Sequence, residues 1–334
     1  MKRLTYLTLT FALFSASCTK IILGDNATDS SGWLSAVADD TPVASLSIPG
    51  SHDAASYTIN TPFVEIFART QAMTISEQLN YGVRAFDLRP AIADNRMKIF
   101  HDVYDTNVLF ADAIDTILDF LGRNPSEFAI VLIRHEEEAD NADSRWSGVL
   151  YDILSSLPEN RVVRDFKPDL TVGQIRGKIL FISRNPYENG PIGAFVSNWY
   201  SGKDIRLQKS AGINEGALWV QDYYDPNGKE DKLDAIRNML NEFAGGAAPG
   251  TWCINHASGY TSGIFGAPDY RENAQNVNSL TAEWIEGLNG SAGIVMMDFA
   301  GASKCGKYPV CGDKLLRALI NHNRLSTKIH FNTD

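Results

Sequence analysis

Two histidines followed by aspartates, His52-Asp53 and His101-Asp102, enclose a stretch that also holds Asp87 and Arg89. Imidazoles ionise near neutral pH, so a pair of them can supply both a base and an acid to one reaction. An arginine between them can clamp a phosphate through paired hydrogen bonds and stabilise the charge that develops at phosphorus. A buried carboxylate such as Asp298 can fix the tautomer of one ring and stabilise its charged form. Together these groups suit in-line displacement at a phosphodiester without a metal. One imidazole removes the proton of an attacking hydroxyl, and the other protonates the leaving oxygen.

Such groups need a frame that brings distant residues together. Short apolar runs recur at Val43–Ile48, Val83–Leu88, Met97–Phe100, Phe128–Ile133, Lys178–Ile182, Ala217–Gln221, Thr251–Ile254 and Gly293–Asp298. Several are nearly continuous in apolar residues, as strands buried on both faces should be. Helical spacing fills Ala111–Arg123, Ser144–Leu157, Lys229–Ala244, Asn273–Leu288 and Asp313–Asn323. No Pro-rich linker, charge block or repeat divides the chain. The alternation predicts an α/β fold, a single distorted (β/α)8 TIM-type barrel, with a doubly wound open sheet as the alternative. The run at Met97 follows its predecessor closely, so one barrel connection is expected to lack a helix there.

A barrel of this kind carries its active site at the carboxyl ends of its strands. The polar residues just beyond the proposed strands are Ser51-His52-Asp53, Asp87 with Arg89, His101-Asp102, Arg134-His135-Glu136, Arg184, Asp222, His256 and Asp298. Titratable groups therefore gather at one end of nearly every strand, which random surface polarity would not arrange.

Ser47-Ile48-Pro49-Gly50-Ser51-His52-Asp53, Arg84-Ala85-Phe86-Asp87-Leu88-Arg89 and His101-Asp102, taken in this order, resemble bacterial phosphatidylinositol-specific phospholipase C. Asn124-Pro125-Ser126-Glu127, Ser183-Arg184, Val220-Gln221-Asp222-Tyr223-Tyr224 and Met297-Asp298 continue the likeness over about residues 40 to 325. The resemblance implies a distorted barrel that cleaves phosphatidylinositol by attack of the inositol 2-hydroxyl, giving diacylglycerol and a 1,2-cyclic phosphate. It implies His52 as base with Asp298 as its orienting partner, and His101 as acid supported by Asp53. Arg89 would bind the phosphate, with Asp87 organising the same strand end. Arg134, Arg184, Asp222 and Tyr224 would contact the inositol headgroup, and Tyr270 would stack on its ring. Three places depart from the family pattern. Arg134 stands where the family carries Lys, which keeps the charge but alters its reach. Asp102 stands where a small residue is usual, and residues 255–267 match poorly.

Blander readings attach to the same residues. Arg89 and Asp87 could be a structural pair, and Asp298 a helix cap. Arg184 and Asp222 could simply pair. His135 with Glu136-Glu137-Glu138 reads as a solvated loop, His256 as structural, and His322 and His330 as non-catalytic. Asp53, Asp87 and Glu136 could be offered as metal ligands, but a guanidinium among them would repel a metal. The expectation is therefore no catalytic metal and no cofactor.

The N-terminus reads as a targeting segment. Lys2 and Arg3 precede an apolar run, Leu4–Phe14, too short to span a membrane, and Ser15-Ala16-Ser17 offer a cleavage site before Cys18. The division expected is residues 1–17 as a signal, 18–39 as a tether and first helix, and 40–334 as the barrel. Cys18 would be lipidated, as in bacterial lipoproteins, and the protein exported. Cys305 and Cys311 could pair in an oxidising compartment, whereas Cys253 reads as a buried small hydrophobe. No CxxC pair is present, which argues against structural zinc.

The chain has 334 residues, with 40 Asp and Glu against 30 Lys and Arg, a net charge of −10. That balance argues against nucleic acid as a partner. The partners expected are a phosphatidylinositol or glycosyl-phosphatidylinositol lipid and the membrane surface, met by a monomer. The apolar segment Pro62–Phe67 could dip into lipid or pack over the barrel. Two other functions stay open: a metal-dependent glycerophosphodiester or sphingolipid phosphodiesterase on the same scaffold, and a surface lipoprotein that binds inositol lipids or glycans without turnover.

Overall fold

The computed structural model describes residues 21–23, 30–202, 206–262 and 268–330; the signal segment and Cys18 lie outside the described residues. Nine strands close a barrel: β1 Ile48–Ser51, β2 Ala85–Leu88, β3 Ala129–Ile133, β4 Ile179–Ser183, β5 Ala194–Ser197, β6 Gln208–Ile213, β7 Gly216–Gln221, β8 Trp252–His256 and β9 Ile294–Met297. Adjacent strands pair in parallel from β7 through β8, β9, β1, β2, β3 and β4 to β5. The ring closes through β6, which is antiparallel to both β5 and β7. The fold is thus the expected α/β barrel, with eight strands running one way. Its distortion is a reversed ninth strand.

The apolar runs explain why the strands form. All five residues of β3 and of β4 are buried, as strands between a packed interior and a helical layer must be. The outer layer includes α1 Ile75–Tyr81, α2 Phe110–Arg123, α3 Trp146–Ser156, α4 Lys229–Gly246, α5 Tyr270–Glu286 and α6 Gly312–His330. Helix α2 buries Ala113, Ile114, Ile117 and Leu121, the spacing read from the sequence. A reciprocal cap between Thr74 and Glu77 starts α1, and left-handed Gly82 ends it.

Three expectations are corrected. Residues 43–45 form a short 3-10 turn, and the first barrel strand begins only at Ile48. The run at Met97 is a strand, Arg96–His101, but it lies outside the barrel in a three-stranded sheet with Pro90–Ala93 and Tyr104–Leu109. Tight antiparallel pairing with its sequence neighbours removes it from the ring. Among the described residues, the helix-free connections instead lie between β4 and β7. There β5 and β6 went unread because Gln208-Lys209-Ser210 is polar and Ala194–Ser197 is short.

Candidate active site

Strand β1 delivers the first histidine under tight constraint. A Cβ on Gly50 would displace Met296 Sδ and lie 3.1 Å from Val295 O, so glycine eases the close approach of β1 to β9. His52 N donates to Met297 O at 3.1 Å, while Gln71 Nε2 donates to both His52 O and Met297 O, at 2.8 and 2.9 Å. Thr70 Oγ1 adds a bond to His52 O at 3.1 Å. Asp53 follows in left-handed backbone at φ 44°, a conformation that costs a non-glycine residue about 1 kcal/mol or more. That turn sets its carboxylate between the two imidazoles. Oδ2 lies 3.2 Å from His52 Nε2 and 3.3 Å from His101 Nε2.

Strand β2 brings in the guanidinium. Arg89 donates to Asp87 Oδ2 from Nε and Nη2, at 3.1 and 2.9 Å, and its Nε lies 2.9 Å from Asp53 Oδ1. Its Nη2 is 2.9 Å from His52 Nε2, and its Nη1 is 3.7 Å from Glu136. Arg89 and Asp87 are thus paired at the end of β2. Among the described residues, His52, Asp53 and Asp87 form the one group whose ligand atoms converge as a metal site would need, within 4.8 Å of one another. The Arg89 cation already faces all three.

His52 Nδ1 bonds Asp298 Oδ1 at 2.8 Å, and Asp298 is 1% exposed. Its other oxygen accepts the Gly259 N–H at 3.3 Å; burial raises the Asp298 pKa, against the pull of His52 and of this bond. Burial lowers the affinity of His52 for a proton, but Asp53 and Asp298 outweigh it and lift the pKa from 6.5 to about 9. Arg89 opposes them. The contacts at Nε2 express this balance, since Arg89 can only donate to a bare nitrogen while Asp53 faces a protonated one. His101 is placed oppositely. Burial lowers its pKa, Asp53 opposes the fall, and Arg89 and His52 add to it. Its Nδ1 is 2.7 Å from Ala68 O, so Nδ1 carries hydrogen and Nε2 faces the site. The two rings stand 6.3 Å apart, edge toward face.

A cavity of about 270 Å³ opens over these groups, lined by His52, Arg89 and His101 together with Arg134, Arg184, Asp222, Tyr224 and Tyr270. Every residue assigned to the headgroup from the sequence thus reaches the same space. Arg184 and Asp222 stand 3.6 Å apart, and burial lowers the Arg184 pKa to about 10, with Asp222 opposing. Trp199, not anticipated from the sequence, donates from Nε1 to Asp222 Oδ2 at 2.9 Å and lies under the Arg184 guanidinium. The hydroxyl of Tyr270, in the same cavity, lies 3.2 Å from His101 Nε2.

Other readings change in three dimensions. His135 and Glu136 are buried rather than solvated. His135 bonds Asp140 and stacks on Trp146 at 4.4 Å, while burial raises Glu136 to about 7 against the pull of Arg89 and Arg134. His256 is buried, with Nδ1 3.0 Å from Ser258 Oγ, and burial lowers its pKa to about 4. His322 bonds Ser47 Oγ at 2.9 Å and anchors the entry to β1; the side chain of His330 lies outside the described residues. Cys305 and Cys311 are not joined to each other, and Cys253 is buried as expected. Thr70, Gln71 and Trp199 left no pattern in the sequence, since each acts through contacts with residues remote in the chain.

A parallel barrel with two imidazoles, a guanidinium and carboxylates gathered at its carboxyl mouth defines an acid–base enzyme of the barrel class. Residues 46–185 match the family model of the phosphatidylinositol-specific phospholipase C X domain. The 1-phosphatidylinositol phosphodiesterase of Listeria monocytogenes is 29% identical over 286 residues, covering 82% of each chain. The enzyme of the same name from Staphylococcus aureus is 25% identical over 80% of this chain and 88% of its own. A solved structure of the Staphylococcus aureus phosphatidylinositol-specific phospholipase C superimposes with a TM-score of 0.75 at 21% identity, covering 88% of this chain and 98% of that one. The Listeria monocytogenes structure gives 0.63 at 25% identity over 87% and 98%.

Proposed function

We propose that this protein is a phosphatidylinositol-specific phospholipase C that works by paired imidazoles without a metal. The observation that carries this is the convergence of both Nε2 atoms on one Asp53 oxygen, with Arg89 beside them. A phosphodiester entering there meets a base and an acid on its two sides and a fixed cation at its equatorial oxygens. His52 Nε2 takes the proton of the inositol 2-hydroxyl, and that oxygen forms the new bond to phosphorus. The bond to the diacylglycerol oxygen breaks, and the acid side protonates it. Asp298 stabilises the imidazolium that forms on His52. Arg134, Arg184, Asp222 and Tyr224 supply donors and acceptors for the ring hydroxyls, a reading supported by their shared cavity.

Phosphorus NMR of phosphatidylinositol treated with the protein tests this reading. A five-membered cyclic phosphate is expected, and His52→Ala and His101→Ala should each lower the rate by ~10²-fold or more. An acyclic product formed only with a divalent ion would favour a glycerophosphodiesterase instead. No product at all would leave a lipid-binding lipoprotein.

The setting is proposed with it: an exported protein anchored through Cys18 or secreted, monomeric, acting on lipid at a membrane surface, and also on glycosyl-phosphatidylinositol anchors. The signal-like residues 1–17 support export. Phe63, 57% exposed ahead of the short helix Val64–Ala68, supports contact with lipid.

A further inference from the structure

We propose that Tyr270 is a catalytic residue, a neutral proton relay between His101 and the leaving oxygen; this rests on the phospholipase reading above. Three observations meet here. First, the Tyr270 hydroxyl is the group that hydrogen-bonds His101 Nε2, at 3.2 Å, whereas Asp53, 3.3 Å from the same nitrogen, makes no aligned hydrogen bond through either oxygen. Second, the carbonyl of Ala68 holds Nδ1, so Nε2 is the one nitrogen of this ring that can pass a proton to the site. Third, Tyr270 and His101 line the same cavity, and Tyr270 is the first residue of α5, whose N-terminus is capped by the Asp269 side chain. The hydroxyl is therefore carried on a rigid element and stands in front of the acid nitrogen.

The proton movements balance without a charged intermediate on tyrosine. In the resting site the phenol donates to the bare Nε2. Once His101 is charged, Nε2–H donates to the phenolic oxygen, and the phenolic hydrogen turns into the cavity. As the phosphorus–oxygen bond breaks, the leaving oxygen takes the phenolic hydrogen while the phenol takes the hydrogen from Nε2. Tyr270 is regenerated and His101 ends neutral. Burial, with Asp53 and Asp298 adding to it, keeps the phenol far from ionising, as a relay that must stay neutral requires.

The test is Tyr270→Phe, which keeps the ring and removes the hydroxyl. Two inositol phosphodiesters are compared, phosphatidylinositol and an inositol nitrophenyl phosphate whose leaving group needs no proton. The relay predicts a loss of about tenfold or more in kcat on phosphatidylinositol and little change on the nitrophenyl ester. It also predicts a curved dependence of the rate on deuterium content in the wild type, from two protons in flight, and a linear one in the variant. Equal losses on both substrates, or no loss, would overturn the relay, because a stacking or structural role does not distinguish leaving groups. A wild type inert toward both esters would instead bring down the phospholipase reading and the relay with it.

Discussion

Replacing Asp298 by Asn removes a charge while keeping an acceptor for His52 Nδ1. The structure sets the size of the effect. His52 is lifted from 6.5 to about 9 despite its burial, a net of about 3 kcal/mol shared between Asp53 and Asp298. Loss of one partner should therefore remove roughly 1–2 kcal/mol of imidazolium stabilisation, lowering the rate by about 5- to 30-fold at alkaline pH, where His52 rests neutral. The pH profile carries the sharper sign. The working form needs His52 neutral and His101 charged, the reverse of their resting preferences. Between the two pKa values it is a small constant fraction, falling below the lower value and above the upper one. The alkaline limb of kcat/KM thus belongs to His52, near 9, and should move down by about one pH unit in the variant. The same linkage appears in stability. A raised histidine pKa stabilises the fold fully below its unfolded value near 6.5, and that contribution is lost as pH rises through about 9. The variant should flatten Tm across this window. An alkaline limb that stays near 9, with a rate within twofold of wild type, would refute the relay of Asp298 to His52.

Three further outcomes are expected. Glu127→Gln leaves the fully buried Arg84 without its carboxylate, now bonded at 3.0 and 2.7 Å, and should cost about 3 kcal/mol in urea unfolding with kcat of the folded enzyme unchanged. Chelator should leave phosphatidylinositol cleavage intact, because Arg89 faces the three groups best arranged for a cation; activity lost to chelator and restored by calcium or magnesium contradicts this. Phe63→Ser should lower activity on vesicles roughly tenfold while sparing a soluble substrate, and equal losses on both would remove the rim from lipid binding.

Much of the barrel was legible because burial on both faces writes itself as unbroken apolar runs, as in Ala129–Ile133 and Ile179–Ser183. The strand at Met97 shows the limit of that signal. Its apolar character reports burial, but whether it joined the ring depended on partners within a few residues on either side. Polar Gln208–Ile213 shows the opposite limit, since closing the ring recruited a strand that hydrophobic pattern could not mark.

The chemistry divides along the same line. The residue types, two imidazoles, a guanidinium and carboxylates just beyond buried strands, were set by the sequence itself, because a strand's end determines where the next side chains emerge. Only the tertiary structure decided how they share protons. The left-handed turn at Asp53, the burial of Glu136, the clamp from Gln71 and the hydroxyl of Tyr270 on His101 all depend on distances between segments remote in sequence. No local periodicity encodes such distances. They arise when the closed ring brings strand ends and loops to one mouth, where low dielectric makes each contact count.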